Sequence, residues 1–224
     1  GDNDTNISGT KLNTRYSGEY IRFGTGENNL YQIVSHETSG LTKITSDEPL
    51  KNNGTHILMA FGSNSLYSST NTIGSFLNNN YLTPSTGYLT SAQVNMIENS
   101  TTWYLGNVLV GQHYRLAKYT NTSMTATTTS TTAKVGLLRA GELFATQSKR
   151  FMLKGEETYT NNARFWLLTQ FGTTQVWHIH QNGAHGTYPY TNTIGVKPVM
   201  NLKSGVTITG GSGTKENPFA LLGN

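Results

Sequence analysis

Residues 176–190 read VWHIHQNGAHGTYPY. Val176, His178 and His180 fall on one side of an extended chain, and Trp177, Ile179 and Gln181 on the other. The Asn- and Gly-rich NGAHG segment turns the chain, and TYPY resumes strand-like composition. The stretch therefore reads as a β-hairpin. Its neighbours continue the pattern. RFWLLTQ (164–170) and TIGVKPVMNL (193–202) read as strands separated by Gly- and Asn-rich turns, and GVTITGGSGTKENPFAL (205–221) as a short strand followed by a glycine-rich turn. Toward the amino terminus, GEYIRFG (18–24), LYQIVSHE (30–37) and LTKITSDEP (41–49) form an expected three-strand meander, the first two joined by TGENN. TWYLGNVLVG (102–111) and HYRLAKY (113–119) also have strand composition, and KVGLLRAGELFATQ (134–147) a strand running into a helix.

Two short helices interrupt this β chain. Residues 72–82 place Ile73, Phe76, Leu77 and Tyr81 at helical spacing, with Asn71 or Thr72 as cap. Residues 90–100 repeat the device, with Thr90 or Ser91 capping and Val94 and Ile97 facing inward. TNTSMTATTTSTTA (120–133) is low in complexity and is expected to be an exposed loop. The expected fold is α+β: twisted antiparallel sheets with two or three short helices and long loops. Residues 1–16 are expected to be a flexible arm, and 17–224 a single globular module.

The bulk composition narrows the function classes. A chain of 224 residues buries roughly 70% of its unfolded surface. Only 12% of residues are charged, about half the usual share. Thr, Asn, Ser and Gly supply the polarity instead, as in secreted and cell-surface proteins. The net charge of +4 is not gathered into a basic stripe, which argues against nucleic-acid binding. The absence of cysteine excludes disulfides, zinc-thiolate sites and thiol catalysis. No apolar run approaches the ~20 residues of a membrane helix, and the abrupt polar opening is read as a mature or truncated form with any anchor removed.

Three of the six histidines lie within residues 178–185, and three readings compete. His178 and His180 share a strand face roughly 6.6 Å apart along the backbone, so in the first reading both reach one zinc or nickel ion, with His185 folding back as a third ligand. No Asp or Glu lies between Glu157 and Glu216, so the second-shell carboxylates and general base of a catalytic zinc site are missing. The second reading is an amphipathic strand with Trp177 and Ile179 in the core and the histidines exposed. The third is a ligand surface. There Tyr188, Pro189 and Tyr190 form a rigid aromatic tip whose rings, with nearby His, Asn and Gln groups, suit a carbohydrate or a protein.

Several segments carry a family likeness. KVGLL and GEL within 134–143, FWLLT at 165–169, VWHIHQNG at 176–183 and GVKPVMNLKSGVTITGGSGTKENPFAL at 195–221 occur in an order that resembles an extracellular module of Bacillota and Mollicutes surface proteins and type IV pilin-like proteins. SGEYIRFGTGENNLYQIVS and TTWYLGN resemble its opening and middle segments. The module is similar to the C-type-lectin and formylglycine-generating-enzyme-like superfamily. The resemblance implies a compact mixed fold with a twisted antiparallel sheet, two helices, and long loops presenting a variable, mostly ligand-binding face. It also implies that the Trp of VWHIHQNG is buried. Two departures stand out. The Arg of the family's GVRP is Lys197 here, a single ammonium in place of a planar fork, and LLTQFG replaces RTP or RSP.

Remaining candidates are weak. Asp2 and Asp4 belong to the arm. Gly210, Gly211 and Gly213 lack the strand-to-helix context of a phosphate loop. Glu156 and Glu157 are adjacent and point apart, which is poor for paired acid–base work. Sequons at Asn3, Asn6, Asn53, Asn99 and Asn121 matter only in a glycosylating host. The expected protein is thus a non-catalytic, cofactor-free module on the outside of a bacterial cell, serving adhesion, ligand binding or fibre assembly. Its expected ligand-binding residues are Trp166, His178, His180, His185, Tyr188 and Tyr190. Its expected partner is a host or cell-surface glycan or protein, or copies of itself in a fibre, with strand addition by the 1–16 arm as the route to the latter. No nucleic acid and no membrane span are expected. The alternative is a metal-binding protein or metal-dependent enzyme built on His178, His180 and His185.

Overall fold

The expected meander is the start of the largest sheet. In a computed structural model that describes residues 7–107, 129–140, 142, 164–180 and 185–223, Tyr20–Arg22, Leu30–His36 and Thr42–Ser46 pair in sequence, each antiparallel to the next. The sheet then takes in Val199–Leu202 and Val135–Gly136. Five strands from both ends and the middle of the chain thereby close one layer. A second sheet of three strands contains Phe165–Phe171, Gln175–Ile179 and His185–Pro189, all antiparallel. Four two-stranded ladders complete the strand inventory of the described residues, among them Met59–Ala60 with Thr193–Ile194 and Thr101–Tyr104 with Ser130–Ala133. The protein is mostly antiparallel strand in several small sheets, with few short helices: 39% strand against 17% helix.

The helices form where their caps say they should. Asn71 accepts from the Gly74 amide ahead of α1, Thr72–Ser75, which runs on into a wide turn over Phe76–Asn80. Thr90 and Gln93 form a reciprocal capping box at the start of α2, Ser91–Met96. Met96 and Ile97 bury themselves, whereas Val94 is only half-buried against the core.

One buried cluster runs from Ile7 to Phe219 and joins both sheets. The two sheets meet at Gly195, which exchanges backbone hydrogen bonds with Arg164 and Trp166. Lys197 sits just beyond, 2% exposed. Its ammonium donates to the Thr45 hydroxyl and the Ser46 carbonyl and lies 5.7 Å from the Phe165 ring centre. The single ammonium thus takes a buried, hydrogen-bonded place.

Three expectations need correction. Residues 7–16 are not a free arm. Ile7 and Leu12 enter the core, Lys11 bridges to Thr207, and the Gly9 and Leu12 amides donate to Ile208 and Val206. The backbone at Gly9, Thr10 and Leu12 is therefore engaged within the chain rather than open for strand addition; residues 1–6 lie outside the described residues. Ser130–Ala133, expected as exposed loop, is a strand. A run of β-branched Thr needs only a partner ladder to become one, and Thr101–Tyr104 supplies it. TIGVKPVMNL is two short strands rather than one, because Pro198 has no amide to give a ladder. The expected strand at 113–119, the loop at 120–128 and the helix beyond 142 fall outside the described residues.

Candidate functional site

The 176–190 hairpin forms in the expected place, with Val176 opposite Tyr188, His178 opposite Gly186 and Ile179 opposite His185. Its turn, 181–184, lies outside the described residues. Because side chains alternate across a strand, this register settles which candidates meet. His178 and Tyr188 stack nearly parallel, ring centres 4.2 Å apart at 20°. His180 lies 4.6 Å from His178. Trp166, paired with His178 from the other neighbouring strand, meets it edge-on at 6.4 Å. A glycine opposite His178 makes the room: a Cβ on Gly186 would lie 2.7 Å from His180 Nε2 and 3.2 Å from His178 Cε1.

The expectation that the histidines are exposed fails for His178, which is fully buried along with Val176 and Ile179. Both faces of this strand are covered. Burial, then the nearby His180 and Arg164, push the His178 imidazole down to about 3, so it is neutral around pH 7. Neither of its ring nitrogens has a hydrogen-bond partner among the described residues. His180 is lowered in the same direction by burial and then by Arg164.

The other expected residues separate. His185 is exposed and points to the opposite face, its ring 5.7 Å from Trp177, so it does not join the other two histidines. Among the described residues no group of three or more His, Cys, Asp and Glu side chains gathers to hold a metal ion. Trp166 is fully buried and donates from Nε1 to the Met59 carbonyl at 3.0 Å. It is a core residue that holds the site, and it offers no surface to a ligand. Tyr188 and Tyr190 do not form a hairpin tip. Tyr188 lies within the strand ladder, and Tyr190 follows that strand, half-buried, its carbonyl accepting from the Phe61 amide.

Tyr188 instead forms one wall of a cavity of about 480 Å³. Leu58, Arg164, Asn192, Thr193 and Ile194 supply much of the rest. Three local structures position them. Arg164 stands at the entry to Phe165–Phe171, and its guanidinium carbon is 5.4 Å from the Tyr188 ring centre, within cation–π range. Asn192 is held in a turn, its amide donating to the Pro189 carbonyl at 3.0 Å. Leu58 and Ile194 are brought together because Met59–Ala60 pairs with Thr193–Ile194. Behind Tyr188, the buried His178 stacks on the ring and is itself met edge-on by Trp166. The cavity therefore offers one oriented aromatic ring, one cation, neutral hydrogen-bonding groups and two aliphatic side chains, and none of these six residues is acidic. That suits a polar, hydroxyl-rich or anionic small ligand.

Arg164, Leu58 and the 192–194 turn were missing from the expected site. The sequence held one signal: Arg164 is the only Lys, Arg, Asp or Glu within residues 158–196, and a lone charge in so long a neutral stretch marks a position. Compared with known proteins, the chain matches no family model, no curated protein and no solved structure.

Proposed function

We propose that the chain is a non-catalytic, C-type-lectin-like extracellular module of a bacterial surface or pilus-associated protein, and that it binds a glycan in the cavity walled by Tyr188 and Arg164. The observation that carries this reading is the cavity itself: about 480 Å³, within the ~300–1,000 Å³ range of small-ligand sites, with a preset ring beside neutral and cationic hydrogen-bonding groups. A guanidinium and a carboxamide beside an aromatic wall are groups that hydrogen-bond sugar hydroxyls. The neutral-polar composition supports the extracellular part of the proposal, and the family likeness of residues 134–221 supports the surface-module part.

The test is a glycan array probed with purified protein, in chelator and again with added zinc. The expected result is binding to a defined set of sugars that chelator does not change. Asn192→Ala, at an exposed turn, weakens it roughly tenfold, the cost of about 1.4 kcal/mol of lost hydrogen bonding. Tyr188→Leu abolishes it. Binding that needs zinc and is lost in His178→Ala and His180→Ala would replace this reading with the metal-binding alternative. Absence of binding to any sugar would leave a protein partner or fibre assembly as the role.

A further inference from the structure

One charge stands in the wall of the cavity. Of the described residues that line it, Arg164 alone is charged, and the others carry aliphatic, aromatic, hydroxyl or carboxamide side chains. The two imidazoles packed near Tyr188 neither offset nor duplicate that charge. His178 and His180 are both held below their ordinary value, first by burial and further by Arg164, with His180 also acting on His178. Both are therefore neutral at pH 7. The guanidinium is the cation whose field reaches each of them.

The backbone fixes where this cation sits. The Arg164 carbonyl accepts from the Gly195 amide at 2.7 Å, at the crossing of the two sheets. A Cβ on Gly195 would lie 2.3 Å from that carbonyl oxygen, so the close approach needs a glycine. The half-buried side chain then carries its guanidinium carbon to 5.4 Å from the Tyr188 ring centre. A ring face attracts a cation without neutralising it. The guanidinium has five N–H donors in a planar fork, and such a fork matches the two oxygens of a carboxylate. A charge pair formed at a partly buried site is screened by salt less than one on the open surface. The chain as a whole, at +4, draws an anion in rather than repelling it.

On the reading that the cavity takes a glycan, we propose that the sugar is an acidic one, its carboxylate held by Arg164 beside Tyr188 and its hydroxyls by the polar side chains of residues 191–193. A carboxylate fits this wall better than a phosphate monoester. The monoester carries about −1.5 to −2 charges and three acceptor oxygens, and the described lining supplies one cation. The lining comes from a strand entry, a strand and a turn, so no helix amino terminus adds the amides that commonly hold a phosphate.

The test places the full chain on an array of glycans that end in glucuronate, galacturonate or a sialic acid, each beside its methyl ester, together with neutral and sulfated glycans. The expected result is binding to a carboxylate glycan that esterification weakens about tenfold, the gap between a charge-assisted and a neutral hydrogen-bonded pair. Raising sodium chloride weakens the acid and leaves the ester unchanged. Arg164→Gln keeps a hydrogen-bonding group, removes the charge, and brings acid and ester to equal affinity. Asn192→Asp adds a carboxylate at an exposed turn position and weakens the acid more than the ester, which covers the case in which Arg164→Gln fails to fold. Equal binding of acid and ester by the wild type, or a preference for neutral or sulfated glycans, overturns the proposal and leaves the glycan reading standing. So does an acid preference that survives Arg164→Gln. Binding to no sugar at all removes the glycan reading and this proposal with it.

Discussion

Trp166→Ala is expected to lower the free energy of unfolding by about 3–5 kcal/mol, the range for removing a large buried aromatic side chain. In a chain of this length that is a melting temperature lower by roughly 6–20 °C. Three contacts disappear together: the Nε1 hydrogen bond to the Met59 carbonyl, the edge-on contact with Phe61 at 5.6 Å, and the one with His178. The Met59 carbonyl bond matters beyond stability, because Met59–Ala60 holds the Leu58 wall of the cavity in place. Trp166→Phe keeps much of the packing and loses the hydrogen bond, and about 1–2 kcal/mol is expected. Urea unfolding of the two variants beside wild type checks both values. Equal, small losses would mean that the indole is not the anchor described here.

The second large effect is acid sensitivity through His178. The folded protein holds this imidazole down to about 3, while an unfolded chain has it near 6.5. Below pH 6.5 the unfolded state therefore binds a proton that the folded state does not, so stability falls as the pH falls. The contribution is fully present above pH 6.5 and is lost progressively down to about pH 3, at about 1.4 kcal/mol per pH unit. Of the groups facing the ring, His180 and Arg164 are or become cationic and oppose its charging, and Tyr188 and Trp166 are neutral. Between pH 7 and pH 4 a loss of about 3 kcal/mol is expected from this residue. Carboxylates titrate over part of the same range, so the reading is a difference: His178→Phe, which keeps a flat ring against Tyr188, has a shallower acid limb than wild type. Parallel limbs for the two proteins would contradict a neutral, buried His178.

Much of this fold is legible in the sequence, and the failures share a cause. The meander at 18–46 and the caps Asn71 and Thr90 rest on short-range rules, alternation and turn chemistry for the one and side-chain capping for the other, and these segments form as those rules say. Alternation misleads at 176–180. It identifies the face that Trp177 and Ile179 bury, but it cannot say that Tyr188 and Trp166 cover the other face as well. His178 looks exposed because it is polar, and is buried because a glycine across the ladder leaves space for it. Residues 7–16 and 130–133 look like arm and loop for the same reason. Their polar side chains face water or edge positions, while their backbones pair with distant strands. The cavity was the least legible part. Arg164, Tyr188 and Asn192 are spread over a strand entry, a strand and a turn, and only the Met59–Ala60 ladder and the Gly195 crossing bring their segments together.

The central claim is that a glycan sits against Tyr188. Behind that ring His178 is closed off from solvent, so it serves as an internal reporter. Protein labelled with ¹⁵N at histidine is titrated with the sugar selected by the array, and its imidazole resonances are followed by NMR. The expected result is a saturable shift of the His178 and His180 signals, transmitted through the stacked Tyr188, while His36, which bonds to Arg15 and Thr42 in the meander, does not move. Saturable binding that shifts His36 and leaves His178 and His180 untouched would place the ligand elsewhere on the protein and contradict the account.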